Sequence, residues 1–224
     1  MVGNEPTNAA EWVELMTRPR TQRRYFSDSE AEEISGVSIG DLRRLQASGA
    51  IEAVKAPRVS GGSFRVWSGR DLSIASIAGA MRKYLKFEIR DCGVVLSAIE
   101  EELINRIQAD SVFSLGSWGE GAKSCDAEHV LVPVEGQGEE NDYFFAKSDR
   151  DWHINVYDNV AITISGGAPR FEQIIRIISR NMDVIDERVS SASDRLRFFI
   201  DEAIFSSSLN ISMTIRRTYL LCRE

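Results

Sequence analysis

Residues 25–67 read YFSDSEAEEISGVSIGDLRRLQASGAIEAVKAPRVSGGSFRVW, and the spacing of helix starts and glycines in them decides the fold. Ser27 with Glu30, or Ser29 with Glu32, fits the box in which a hydroxyl and a carboxylate satisfy the orphan N–H groups of a helix start. Gly36 stands where that short helix stops and the chain bends, because glycine takes left-handed backbone without strain. Ser38 with Asp41 opens a second helix two residues later. Leu42 and Leu45 face inward along it, Arg43 and Arg44 face elsewhere, and Gly49 ends it. Two short helices joined by a turn of about three residues form a helix-turn-helix. A basic loop from Lys55 to Gly62 and the strand Phe64-Arg65-Val66-Trp67 then predict a two-stranded wing. Arg65 alternates with Phe64 and Val66, so it is expected to point out while they point in. Ser68 with Asp71 starts another helix, running to about Lys83 with Leu72, Ala75, Ile77 or Ala78, and Met81 at helical spacing. Trp12 and Leu15 lie upstream and stand outside this unit.

Gly36-Val37-Ser38, Leu42-Arg43, Gly49, Phe64-Arg65-Val66-Trp67 and Ser68-x-x-Asp71-Leu72, in that order and spacing, resemble the MerR-type winged helix-turn-helix. The similarity covers roughly residues 25–86, and the winged DNA-binding segment of plasmid-partition ATPases is similar over the same stretch. Two departures stand out. Arg44-Leu45-Gln46 replaces the family's aromatic-aromatic-acid triplet, and Ser63 separates Gly62 from the wing aromatic. The resemblance implies backbone contacts to duplex DNA from Arg43 and Arg65, which match its L-R and aromatic-R positions.

Charge points the same way once it is divided. The chain carries 27 Lys/Arg against 34 Asp/Glu. Residues 1–90 hold 14 bases and 11 acids, and the remainder 13 and 23. The basic balance sits with the helix-turn-helix, and the acidic back half should repel phosphate and so orient the molecule. Candidate DNA contacts are Ser38, Arg43 and Arg44 at the second helix, Lys55, Arg58 and Arg65 in the wing, and Arg23 and Arg24 in an N-terminal arm. That arm crowds Arg18, Arg20, Arg23 and Arg24 around Pro19, a pattern able to follow a phosphate backbone or minor groove. No apolar run approaches the roughly 18 residues of a membrane span. Cys92, Cys125 and Cys222 are odd in number and scattered, which predicts reduced thiols and a cytoplasmic setting.

Beyond the wing, residues 87–107 read as helical, with Leu96, Ile99, Leu103 and Ile107 on one stripe. Gly116 to Ser124 mimics a phosphate-binding loop, but Ala122 separates the second glycine from Lys123 where the P-loop needs them adjacent. Cys125, Asp126, Glu128 and His129 lack the paired cluster that marks a metal site. No catalytic set assembles around His153, so neither enzyme chemistry nor a cofactor is expected. Strands are predicted at 129–134, 143–146, 152–157 and 160–164, with Asp158-Asn159 as a two-residue hairpin turn. His153 would then share a face with Tyr157, Val160 and Ile162. Finally Phe171, Ile175, Ile178, Met182, Ile185, Val189, Ala192, Leu196, Phe199 and Ala203 step by four and three, a heptad seam. The seam fits one helix of about 50 Å or a hairpin broken near Ser190 to Ser193, and it predicts dimerisation. Residues 210–222 fit helix or strand.

The fold class expected is α+β: a basic arm (1–24), a winged helix-turn-helix (25–92), a connector helix (93–110), and an α+β dimerisation and effector domain (111–224) ending in long helices. The function expected is a homodimeric, sequence-specific transcriptional regulator binding double-stranded DNA. Its back half would sense a small-molecule or protein effector. The alternative is a DNA-binding adaptor in plasmid partition, phage excision or DNA packaging. No membrane association is expected.

Overall fold

A computed structural model describes residues 6–112, 151–158, 161–167, 171–177, 203 and 206–222. The described elements run α1 (Ala9–Thr17), a 3-10 turn at Arg20–Gln22, β1 (Tyr25–Ser27), α2 (Asp28–Ser35), α3 (Ile39–Ala47), β2 (Ala53–Pro57), β3 (Ser63–Ser68), α4 (Gly69–Tyr84), α5 (Ile89–Ser97) and α6 (Glu101–Val112). The back half contributes β4 (His153–Tyr157), β5 (Ala161–Gly166), β6 (Phe171–Ile177), β7 (Ser206–Asn210) and α7 (Ile211–Leu221). The class is α+β. The strands form two antiparallel sheets, ordered β1-β3-β2 and β6-β5-β4-β7.

Short-range chemistry sets the first half. At the start of α2 it is Ser27 and Glu30 that form the box: Glu30 Oε2 accepts from the Ser27 N–H at 2.9 Å, and Ser27 Oγ accepts from the Glu30 N–H. Gly36 ends α2 at φ +67°, where a side chain would be strained. Ser38 Oγ accepts from the Asp41 N–H at 3.2 Å and opens α3. Leu42 and Leu45 are fully buried on its inner face. In the hairpin, Lys55 lies opposite Arg65 and Pro57 opposite Ser63. Ser68 caps α4 through the Asp71 N–H at 3.1 Å, while Asp71 Oδ1 accepts from the Glu52 N–H at 3.0 Å and ties α4 to the start of β2.

Three expectations change here. Trp12 and Leu15 belong to this unit: Trp12 is buried with Ala56 and Val66, and Leu15, Met16, Tyr25, Val54 and Phe64 close around them. Trp12 also meets Tyr25 edge-on at 5.1 Å. The small sheet is therefore covered on both faces, by α1 on one and by the main core, through Trp67, on the other. Arg65 accordingly lies on the Trp67 side, its guanidinium 5.7 Å from that ring. Residues 87–107 are two helices, α5 and α6, because i→i+3 bonds from the Ala98 and Ile99 N–H groups tighten and end α5. Leu96, Ile99 and Ile107 still face inward across the break. Trp12→Ala should cost about 3 kcal/mol, the low end for a buried tryptophan because its cluster is small. Faster tryptic cleavage after Arg20 should accompany a lower urea midpoint.

In the back half β4 and β5 pair antiparallel as expected, but Tyr157 lies opposite Ala161, so three residues connect them instead of the expected two; Asp158 takes a positive φ of 46°. The register sets His153 opposite Ser165 and Val156 opposite Ile162. Ile162 therefore shares the core face with Ile154 and Val156, and His153 shares the other face with Asn155 and Tyr157. Residues 210–222 are settled as the N-cap Asn210, accepting from the Met213 N–H at 3.0 Å, and helix α7.

The larger correction concerns the predicted seam. Phe171 and Ile175 lie in strand β6, paired with β5, and not on a long helix. A β-bulge opposite Ile162 and Thr163 inserts an extra residue between Ile174 and Arg176, which spoils strand alternation and imitates helical spacing. Phe171 packs within the chain, 5.8 Å from Trp152. Ile178, Met182, Ile185 and Val189 lie outside the described residues, as do the expected strands at 129–134 and 143–146.

One apolar core continues through both halves. It runs from Phe26, Leu42 and Leu72 to Ile154, Ile164, Ile215 and Tyr219, so burial does not stop at residue 92. Helix α7 packs against α4 and α6. At its centre Arg216 donates to Asp151 Oδ1 at 2.5 Å and to the Ser111 carbonyl at 2.9 Å, while Asn210 donates to Asp151 Oδ2 at 2.8 Å.

Candidate nucleic-acid interface

The predicted contact residues divide into those presented to solvent and those folded inward. Ser38 is exposed at the N-cap of α3. Arg43, one turn on, is exposed, and its side chain has no hydrogen-bond or ion-pair partner among the described residues. The same holds for Lys55 on β2. Arg44 leaves α3 beside it, 69% exposed, with Nη1 2.6 Å from Asp41 Oδ1. Arg58 sits at the hairpin tip, where Gly61 and Gly62 both take positive φ, and its guanidinium lies 5.8 Å from the Phe64 ring. Arg65 is 31% exposed, 3.9 Å from Asp28 Oδ2. Asp28 in turn accepts from Trp67 Nε1 at 2.7 Å. One short helix and one hairpin therefore present Arg43, Arg44, Lys55 and Arg58, with Arg65 across from Lys55 and against the Trp67 ring.

The N-terminal arginines do something else. Arg23 is buried, with Nη2 2.5 Å from Glu30 Oε1 and Nη1 3.1 Å from the Met16 carbonyl. Arg20 reaches Glu33 at 2.5 Å and Glu30 at 3.4 Å, and Arg18 pairs with Glu14 at 2.9 Å. Arg24 is half-buried, and its carbonyl accepts from the Gly69 N–H at 3.1 Å. Acids on α1 and α2 thus claim Arg18, Arg20 and Arg23, and Arg23 is withdrawn as a DNA contact.

Electrostatics follow these pairings. Burial raises the Glu30 carboxyl, but hydrogen bonds from the Ser27 N–H and from Arg23 more than offset it, leaving the group below its ordinary value of 4.5. Burial likewise raises Asp41, and bonds from Arg44, Ser38 and Arg82 pull it below 3.8. Burial dominates at Asp71 and leaves it raised. A depressed carboxyl stabilises the fold above its unfolded pKa and loses that contribution as pH falls through the folded one. The urea midpoint should therefore drop between pH 5 and pH 3. Glu30→Gln should flatten part of that drop, which urea titrations at several pH values check.

Arg82 was not foreseen. It projects from the last turn of α4, 59% exposed, with Nη1 2.7 Å from Asp41 Oδ2. The run Arg82-Lys83-x-x-Lys86 was the available signal, but the partner acid lies 41 residues away.

Other candidate chemistry is thin. Among the described residues no group of three or more His, Cys, Asp or Glu is placed to hold a metal. No described helix is long and apolar enough to cross a membrane. Burial pushes the Cys92 and Cys222 thiols up to about 12, which makes them poor nucleophiles at neutral pH. A cavity between α4, α5, α6 and α7, lined by Ile74, Leu96 and Ile215 among others, measures about 20 Å³, room for one water and no larger ligand. The phosphate-loop mimic at 116–124 and the cluster at 125–129 lie outside the described residues. Comparison with protein-family models, curated proteins and solved structures finds no match for this chain.

Proposed function

We propose that this chain is a sequence-specific DNA-binding protein whose residues 25–86 act as a MerR-like winged helix-turn-helix, with α3 entering the major groove and the β2–β3 hairpin lying along the phosphates. The observation that carries the reading is the joint display of Arg43, Arg44, Lys55 and Arg58 from α3 and the hairpin, two of them without a hydrogen-bond or ion-pair partner among the described residues. A cation left unpaired at a surface is available to phosphate, and release of condensed counterions then supplies affinity. The basic balance of residues 1–90 and the acidic remainder favour approach with this face forward.

The regulator acts as a homodimer, since two heads on a palindromic site double the contacts. Sedimentation equilibrium of the full chain reads that directly. No catalysis is needed for this role. Recovery and sequencing of DNA bound in cells tests the whole. Promoter-proximal sites assign a transcriptional regulator. Clustered repeats or recombination sites assign a DNA-organising adaptor, and random recovery removes sequence specificity.

A further inference from the structure

Asp41 is an unexpected residue to find in a phosphate-docking face. It sits in the first turn of α3, two residues before Arg43, and its side chain is 8% exposed. Its two carboxylate oxygens are divided between helices: Oδ1 accepts from Arg44 Nη1 of α3 at 2.6 Å, and Oδ2 accepts from Arg82 Nη1 of α4 at 2.7 Å. The two guanidiniums are themselves well exposed, at 69% and 59% of their side chains. Each spends one N–H on the acid and keeps others for solvent, since a guanidinium carries five donors in a fixed fork. The charge of the group is one carboxylate against two guanidiniums, so it stays net positive.

A carboxylate that only balanced charge would not have to be buried, nor to join two helices. Here it fixes two long side chains whose ordering would otherwise oppose binding, at about 0.5–1.5 kcal/mol for each immobilised side chain. We propose that Asp41, Arg44 and Arg82 form an acid-braced phosphate clamp, in which Asp41 is a positioning residue and Arg82, from outside the helix-turn-helix, is a direct contact to the DNA backbone. This rests on the DNA-binding reading above and extends its footprint from α3 and the hairpin to the end of α4. The clamp grips one backbone phosphate beside the groove that α3 enters, and it carries no base information.

The sign of one substitution separates bracing from mere proximity. Asp41→Asn removes a negative charge from a surface that meets phosphate. If Asp41 were only a neighbour, affinity for duplex would rise. If it braces the clamp, affinity falls, because freed arginines lose their preset geometry.

The test measures fluorescence anisotropy of a labelled duplex with the full-length wild type, Arg82→Ala, Arg82→Lys, Arg44→Ala, the Arg44→Ala/Arg82→Ala double variant, Asp41→Asn and the triple variant, from 50 to 300 mM salt. Active fractions are set by stoichiometric titration, so partly unfolded protein does not count as weak binding. Arg82→Ala is expected to weaken binding about tenfold and to reduce the salt slope by about one. Asp41→Asn is expected to weaken binding severalfold, and to have no further effect once both arginines are alanine. Arg82→Lys keeps the charge and loses the fork, so it should restore the slope but only part of the affinity. An Arg82→Ala slope equal to wild type, or tighter binding by Asp41→Asn, overturns the clamp while leaving the DNA-binding reading intact. Absence of duplex binding by the wild type overturns both.

Discussion

Asp151→Ala is expected to destabilise the protein by about 3–5 kcal/mol, the cost of removing one partner of a buried ion pair. Arg216 and Asp151 retain only 5% and 1% of their side-chain exposure. The acid also accepts from Asn210 at 2.8 Å, so its loss takes an acceptor from a buried guanidinium and from a half-buried amide. The effect should reach past the pair itself. Asp151 adjoins Trp152, whose indole N–H donates to Asp110 Oδ2 at 2.7 Å, and whose carbonyl accepts from the Ile211 N–H at 2.9 Å. Asp151, Trp152 and Arg216 therefore tie α6, β4 and α7 together. Urea unfolding followed by tryptophan fluorescence and by circular dichroism checks the magnitude. Replacing both charged partners, as Asp151→Leu with Arg216→Met, should cost less than the single change, because no stranded ion remains. If the single variant loses under 1 kcal/mol, the ion pair is not the structural tie described here.

Arg43→Ala is expected to weaken duplex binding by a factor of about 10–100, equivalent to about 1–3 kcal/mol for a groove contact, while leaving the fold intact. Arg43 is exposed, unpartnered among the described residues, and flanked by the fully buried Leu42. Its removal opens no cavity and strands no charge, so stability should stay within about 0.5 kcal/mol of wild type. That separation makes the variant informative. Arg23→Ala should do the reverse: it takes from Glu30 its shortest ion pair, leaving the Arg20 contact at 3.4 Å, and lowers the urea midpoint, with no change in salt slope. Were Arg43→Ala to bind as wild type and Arg23→Ala to lose binding without unfolding, the two roles would have to be exchanged.

The sequence announced those parts of the fold whose causes lie within a few residues. Ser27 with Glu30, Gly36, Ser38 with Asp41, and Ser68 with Asp71 each mark a helix end through bonds three or four positions apart. The β4–β5 hairpin was legible because Ile154 and Val156, and then Ile162 and Ile164, stand at every second position on either side of Asp158-Asn159. What escaped depends on distant partners. The packing of Trp12 on Val66 and Ala56 joins positions over forty residues apart, and it turned an apparent leader into one wall of the hairpin. The Arg216–Asp151 pair spans 65 residues. The segment FEQIIRI spaces its apolar side chains at three and four, as a helix would, yet pairs with β5 through a bulge. Periodicity reports which residues want burial; neighbours elsewhere in the chain decide the backbone that delivers it.

The site followed the same rule. The exposure of Arg43, Lys55 and Arg58 was legible because cations on a short helix and a glycine-rich hairpin need no distant partner to be read. Arg23 was misplaced because the acids that claim it sit on α2, and charge counting cannot tell a free arginine from a paired one. Arg82 was missed for the complementary reason, since only the fold brings it to Asp41.

The most direct measurement is the affinity of the purified full-length protein for mixed-sequence duplex DNA as ionic strength is raised from about 20 mM to 300 mM. Contacts from Arg43, Arg44, Lys55 and Arg58 should give retention of duplex at low salt and a log–log slope of about −3 to −4 per head. A protein that retains no duplex at the lowest ionic strength, or binds it with a flat salt response, would contradict the account.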